Sequence, residues 1–155
     1  ILYGYKEEDL VEIYESIFKY VQPSVVKGVH VCGELPHRLP SILSRVEHLN
    51  VLNHEFKDSQ RNLSINWREI LEHGNKKLAP GVISSKKPRV ESVEETLELL
   101  KRIMSVAGEE NIDFVSADCG FAVLTAETGG PEQAYSIALE KWRVLVEAVS
   151  MLGVE

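Results

Sequence analysis

The 155-residue sequence lacks long apolar runs, since no stretch approaches the roughly 20 apolar residues that a membrane-spanning helix needs. It is also short of positive charge, because 17 Lys and Arg residues against 24 Asp and Glu residues give a formal net charge of −7. Its basic residues form only small clusters, without the patch that nucleic-acid-binding proteins usually carry. The first residues lack the basic start and apolar run of a secretory signal. We therefore expect a cytoplasmic protein that binds neither membranes nor nucleic acids.

Cysteine is scarce as well, because Cys32 and Cys119 are the only two in the chain. Two cysteines in 155 residues exclude a disulfide-stapled miniprotein. The pair could form a disulfide, stay as two buried thiols or bind a metal ion. A reducing cytoplasm disfavours the disulfide, and the choice between inert thiols and metal ligands depends on the residues around each cysteine.

Helix-like and strand-like segments alternate along the chain. Apolar residues at three-to-four spacing predict the helices, and short runs rich in β-branched residues predict the strands. The predicted helices span residues 6–21, 39–46, 66–73, 92–106 and 131–151, and the predicted strands span residues 25–32, 51–56, 78–83 and 112–117. The third strand is the weakest, because Pro80 and Gly81 interrupt it.

This alternation favours parallel strands joined by right-handed helical crossovers. A doubly wound sheet and a (β/α)₈ barrel both have this pattern, and a complete barrel typically needs about 250 residues. We therefore predict an α/β fold in which residues 1–155 form a single segment, either a small open sheet or half of a TIM barrel. The chain starts at Ile1 rather than Met, which leads us to expect a processed or excised piece.

The sequence His30-Val31-Cys32 ends the first predicted strand. Side chains two residues apart on a strand point to the same face, so the imidazole and the thiol project together. In parallel α/β folds the C-terminal ends of strands are where ligands bind. The motif alone also fits a buried thiol beside a hydrogen-bonded histidine.

Two further polar residues end predicted strands. Glu55 closes the second strand, where a buried carboxylate is costly unless it is paired or coordinated, so both a salt bridge and a ligand role fit it. Cys119 follows the fourth strand in the sequence Asp118-Cys119-Gly120, which alone also fits a turn with a buried cysteine.

Taken together, these residues supply one nitrogen, two sulfur and one oxygen donor at the same rim of a parallel sheet. Such a set suits tetrahedral Zn²⁺. Two thiolates and a carboxylate leave the site with a net charge of −1, which makes the metal a poor activator of water. It suits holding an incoming thiol as a thiolate, the nucleophilic form of sulfur. The set therefore indicates alkyl transfer to sulfur.

The order of these motifs resembles the C-terminal catalytic barrel of cobalamin-independent methionine synthase, especially its shorter single-barrel relatives. The resemblance rests on residues 30–33, Glu55, residues 80–92 and residues 117–120. It implies the C-terminal half of a (β/α)₈ TIM barrel of about four strand–helix units. It also implies a methyltransferase of methionine biosynthesis that methylates the homocysteine thiol, with His30, Cys32, Glu55 and Cys119 as the zinc ligands.

The chain departs from the family pattern in two ways. Ser84 and Lys86 stand where the long enzymes have an Asp and a proton-donating His, although the shorter relatives often have Lys at the second place. Lys86 is therefore our candidate catalytic residue, and the methyl donor could be methyltetrahydrofolate or a methyl-corrinoid. The Asp-Glu-Pro strand that helps to hold the amino acid is absent, as are the earlier strands.

A half barrel exposes open sheet edges, so we expect a partner: a complementary N-terminal half, a second copy of the chain or a longer parent. Two alternative functions stay open. One is a zinc methyltransferase that methylates coenzyme M from a methyl-corrinoid protein. The other is a catalytically incomplete half barrel that binds zinc without turnover.

Overall fold

The computed structural model of the protein describes residues 4–153, so residues 1–3 and 154–155 of the predicted segment lie outside the described part. The helices are α1 (Glu7–Phe18), α2 (Leu39–Ser44), α3 (Trp67–Gly74), α4 (Val93–Ala107), α5 (Leu124–Glu127) and α6 (Pro131–Ser150), with short 3₁₀ helices at Gln60–Ser64, Glu109–Asn111 and Phe121–Val123. The strands are β1 (Gly28–Val31), β2 (Val51–Glu55), β3 (Lys77–Ile83) and β4 (Ser116–Ala117). Over residues 4–153, every helix falls short of the length and apolar character needed to cross a membrane.

The strands of this described range form a parallel sheet in the order β1-β2-β3-β4. At the C-terminal ends of the strands, Val31 of β1 pairs with His54 of β2, and Glu55 of β2 pairs with Gly81 of β3. Strand order that follows chain order in one direction is the order of a barrel, whereas a doubly wound sheet reverses direction at a switch point. The predicted α/β fold class is confirmed, and the strand order matches half a barrel.

Local sequence signals place the helix ends well. Ser92 caps α4 by accepting a hydrogen bond from the backbone N–H of Glu95, and the Glu95 carboxylate accepts one from the Ser92 N–H in return. This reciprocal pair is a capping box, which the three-residue spacing of Ser92 and Glu95 at the start of the predicted helix 92–106 predicts. Helix α3 ends at Asn75, whose φ of 51° is the left-handed conformation that asparagine tolerates.

Strand β3 is longer and strand β4 is shorter than the sequence predicts. β3 is the longest strand, because Pro80 lies between two contacts to the fourth strand, at Leu78 and at Gly81, and its missing N–H removes no pairing there. β4 is shorter than predicted, because Leu78 bridges Ile112 whereas Gly81 pairs with Ser116. Four steps along this segment thus face three along β3, and residues 113–115 fall outside the regular ladder. A side chain at Gly81 would place its Cβ 2.5 Å from the Cα of Asp118, so glycine is needed for this close approach.

The two faces of β2 have different environments. Leu52 and Phe56 belong to the core cluster that the helices cover, together with Trp67. Asn53 and Glu55 lie on the opposite face, which lines the inside of the half barrel. The helix-covered face thus carries the hydrophobic core, and the inner face carries the polar residues of the candidate site.

His54 is a polar residue of the helix-covered face. Its side chain is fully buried, its ring lies 5.6 Å from that of Trp67, and its Nε2 has no hydrogen-bond partner. Burial lowers the pKa of His54 from 6.5 to about 4, so the imidazole stays neutral in the folded protein.

We predict that His54 makes the protein acid-sensitive. Because the unfolded state takes up a proton below about pH 6.5 and the folded state only near pH 4, the free energy of unfolding should fall by about 2 kcal/mol between about pH 7 and pH 5. Urea unfolding at both pH values measures this loss. His54→Leu should remove most of it, and the exposed His73→Gln should leave it unchanged; equal pH dependence in both variants would contradict the assignment.

Candidate metal centre

Three of the predicted metal ligands lie together where β1 and β4 end. His30 is on β1, Cys32 directly follows that strand, and Cys119 follows β4 two residues after Ala117. His30 Nε2 lies 3.1 Å from Cys32 Sγ, and Cys32 Sγ lies 3.4 Å from Cys119 Sγ. All three donor atoms are within 4.8 Å of one another. Two chain segments that are 87 residues apart thus meet at one point of the rim.

Asn53 of β2 sets the orientation of the His30 ring. The Asn53 amide nitrogen donates to the Ala79 carbonyl at 2.6 Å and to Ser116 Oγ at 3.1 Å, so its amide oxygen faces His30 Nδ1. Nδ1 then carries the proton that it donates to this oxygen. The lone pair of Nε2 is therefore free and points toward the sulfurs, as in histidine ligands fixed by an outer hydrogen bond.

Glu55 is buried at the end of β2, but its carboxylate is not part of the three-residue cluster. Both of its oxygens lie 3.0 Å from Lys86 Nζ, and Ser59 Oγ donates to Oε2 at 3.2 Å. Hydrogen bonding to Glu55 raises the pKa of Lys86. The salt-bridge interpretation of Glu55 thus describes its contacts, and its role as a ligand stays a prediction.

Lys86 lies on the segment after β3, which a chain of polar contacts holds in place. Ser84 Oγ accepts from the backbone N–H groups of Lys86 and Lys87 and donates to Asp58. The Ser84 N–H donates to Glu91, whose other carboxylate oxygen accepts from the fully buried Lys141 of α6 at 2.7 Å. Ser84 therefore organises the segment that carries Lys86.

Asp118 connects the end of β2 to the end of β4. Its buried carboxylate accepts hydrogen bonds from three consecutive backbone N–H groups, those of residues 56–58, at 2.7–3.1 Å. Since Asp118 immediately precedes Cys119, these bonds fix where the second cysteine enters the site.

The donor set fits a zinc ion. Both cysteines are free thiols, and two sulfurs bound to one tetrahedral zinc at about 2.3 Å would be about 3.8 Å apart, close to the observed spacing. The hydrogen bond to Cys119 raises the pKa of Cys32, as do partial burial and the charge of Glu55, whereas Lys86 lowers it. A raised pKa favours the protonated form of the Cys32 thiol unless a cation binds its sulfur.

Sequence reasoning missed the residues that support the donors. Asn53 shares a strand face with Glu55, which was the available signal for its role. From the sequence, Asp118 fits only a turn. Its hydrogen bonds to residues 56–58 join positions about 60 residues apart, and local sequence patterns do not indicate contacts over such a distance.

Comparisons with known proteins identify the family of the chain. A family model described as "Cobalamin-independent synthase, Catalytic domain" matches residues 19–133. The methionine synthase of Methanothermobacter thermautotrophicus is 35% identical over 100 residues, which cover 63% of this chain and 30% of the relative. That of Methanothermobacter marburgensis is 30% identical over 126 residues, which cover 79% of this chain and 35% of the relative.

A solved structure of a B12-independent methionine synthase from Shewanella sp. W3-18-1, in complex with selenomethionine, has the same fold. It matches with a TM-score of 0.69 at 13% identity, over 92% of this chain and 42% of that chain. The chain spans about a third of the length of the curated relatives that it matches.

We predict that Asn53 supports metal binding through His30. Replacing Asn53 by Ala removes the acceptor that fixes the ring, so zinc affinity should fall roughly 10- to 100-fold. The exposed His73→Gln is the control and should keep the wild-type affinity. Competition for zinc against a chromophoric chelator measures both affinities, and an Asn53→Ala protein with wild-type affinity would contradict this role.

Proposed function

Since the chain belongs to the cobalamin-independent methionine synthase family, we propose that it is the zinc-bearing part of a methyltransferase. The proposed reaction is methylation of the homocysteine thiol to give methionine. The observation that carries the proposal is the convergence of His30, Cys32 and Cys119 at the strand ends. The family of the chain and the names of its relatives support the reaction.

In this proposal each residue of the site has a separate role. His30, Cys32 and Cys119 hold the metal, and Glu55 is the candidate fourth donor. A bound Zn²⁺ would supply the positive charge that keeps a thiol deprotonated at neutral pH. Asn53 keeps Nε2 of His30 available, and the Lys86 ammonium balances the buried charge of Glu55.

The proposed reaction transfers a methyl group from a donor to the sulfur of the substrate, and the thiol proton is released. Methyltetrahydrofolate and a methyl-corrinoid are the two candidate donors. Lys86 is the candidate catalytic residue beside the donors, because its side chain is about 43% exposed while its ammonium contacts the buried Glu55. An amine in this position could approach a bound substrate from the open side of the site.

The remainder of the barrel is also part of the proposal. Beside the fourth strand, a groove of about 460 Å³ runs along α6 and is lined mostly by apolar side chains, including Met104, Phe114, Val115, Trp142 and Val146. We call this surface the β4 groove. Phe114 and Val146 are 51% and 62% exposed, and apolar side chains grouped on one surface mark interaction sites.

We propose that the complementary half of the barrel fills the β4 groove. The solved methionine synthase matches this chain over only 42% of its own length, and in a closed barrel the last strand pairs with the first. A strand–helix unit of the missing half would cover the groove and supply the strands that this chain lacks. That half could belong to the same polypeptide or to a separate chain.

We predict about one zinc per chain in the purified protein, held by both cysteines. Cys32→Ser and Cys119→Ser should each lose most of it, because each removes a thiolate donor, whereas the exposed His73→Gln should retain it. Elemental analysis of the purified proteins measures the metal. Unchanged zinc in both cysteine variants would remove the site from the proposed function.

The reaction is tested with the complementary half supplied. Transfer of a labelled methyl group to homocysteine, lost in Cys32→Ser, is the expected result. Transfer to coenzyme M instead would favour the alternative methyltransferase. Zinc binding without transfer to either thiol would favour an incomplete half barrel.

We predict that the chain forms a one-to-one complex with a polypeptide that carries the missing strand–helix units of a family member. Val146→Lys should weaken this complex at least tenfold, because it places a charge in the apolar β4 groove. Glu98→Lys, on the exposed side of α4, is the matched control and should not weaken it. Light scattering after size-exclusion chromatography measures the assembly; a homodimer that leaves the added half unbound would contradict the proposal.

A further inference from the structure

The free thiols of Cys32 and Cys119 meet across the inside of the half barrel. In the described range β1 and β4 are the outer strands of the sheet, with β2 and β3 between them. Neighbouring strands lie about 4.8 Å apart, so a flat sheet would separate β1 from β4 by about 14 Å. The two sulfurs nevertheless lie 3.4 Å apart, because the sheet curves and both side chains reach toward its inner face.

We propose that the metal-free chain closes this pair as a reversible disulfide, so that oxidation shuts the metal site and fastens the two edge strands to each other. The disulfide itself rests on the geometry of the two cysteines. Its effect on metal binding rests on the proposed function, which it deepens by giving the same site a redox regulation.

The surroundings of the two sulfurs allow the bond to form. A disulfide has an S–S length of about 2.05 Å, so the sulfurs must approach each other by about 1.4 Å. Cys32 follows β1 and Cys119 follows β4, so neither residue lies within a strand that this movement would disturb. Next to Cys119 the chain has open space, since a Cβ added to Gly120 would meet no atom within 4 Å. Rotation of the two side chains can therefore supply the approach.

The oxidant in this proposal is a low-molecular-weight disulfide. The sulfur of the exposed Cys32 attacks one sulfur of the oxidant, which breaks its S–S bond, forms a mixed disulfide and releases one thiol. The half-buried Cys119 then attacks the Cys32 sulfur and displaces the second thiol. The two cysteines are oxidised, the oxidant is reduced to two thiols, and these thiols receive the two cysteine protons. His30 Nε2, which lies 3.1 Å from Cys32 Sγ, can carry the first of these protons.

The disulfide would close a long loop between the two edges of the sheet. Cys32 and Cys119 are 87 residues apart, and a cross-link over such a distance strongly restricts the unfolded chain. We therefore expect the urea midpoint of the oxidised chain to lie roughly 1 M or more above that of the reduced chain.

The experiment incubates the metal-free 155-residue chain with oxidised glutathione, blocks the remaining thiols with iodoacetamide and measures the mass. We expect an unlabelled product that is two hydrogens lighter than the reduced chain, and reduction with dithiothreitol should restore both thiols and zinc binding. Cys119→Ser should stop at one glutathione adduct on the exposed Cys32. Cys32→Ser should react roughly tenfold more slowly, because Cys119 is half-buried.

The outcomes separate the disulfide from the proposed function. A wild-type chain that keeps both thiols, or that carries a separate glutathione on each cysteine, overturns the disulfide and leaves the proposed function intact. A zinc-loaded chain should resist oxidised glutathione until a chelator is added, because the metal occupies both sulfurs. Equal oxidation with and without zinc overturns the metal site, and with it the proposed function and its regulation, although the disulfide has formed.

Discussion

The candidate site depends on one buried carboxylate, that of Asp118. By accepting hydrogen bonds from three consecutive backbone N–H groups after β2, it joins two chain segments about 60 residues apart. The close approach requires Gly81, where any side chain would collide with Asp118. Because Cys119 is the next residue, the same bonds bring the second sulfur to the first.

Around this junction the inner face of the half barrel is polar, although it belongs to a buried sheet. Asn53 links the side chains of His30 and Ser116, which lie on β1 and β4, so one amide connects strands from both ends of the sheet. In a closed barrel this face would be enclosed, and its polar groups would then need the partners that they already have here. Within residues 4–153, the contacts of Asn53 therefore already organise this part of the site.

The sequence predicts those parts of the structure that depend on near neighbours. The capping box at Ser92 and the end of α3 at Asn75 are set within three or four residues, and both agree with the structure. The sequence also predicts Cys119 on the same rim as His30 and Cys32, because parallel strands end at the same edge of a sheet. The pairing of Glu55 with Lys86 was not predictable, since it depends on the path of a loop 31 residues further along the chain. The sequence underestimates the length of β3, because Pro80 and Gly81 are unfavourable in a strand when judged from local sequence alone. In the structure Gly81 is required by the close approach of Asp118.

The ion pair between Lys141 and Glu91 ties α6 to the loop that follows β3, 50 residues earlier in the chain. Here the helix delivers a buried cation to the base of the segment that carries Lys86, at 2.7 Å from Glu91 and with no exposure to water. A chimaera that took this helix from a homologue without the lysine would leave the buried Glu91 carboxylate without its cation. Recombinant fragments and chimaeras should therefore take α6 and the loop after β3 from the same protein.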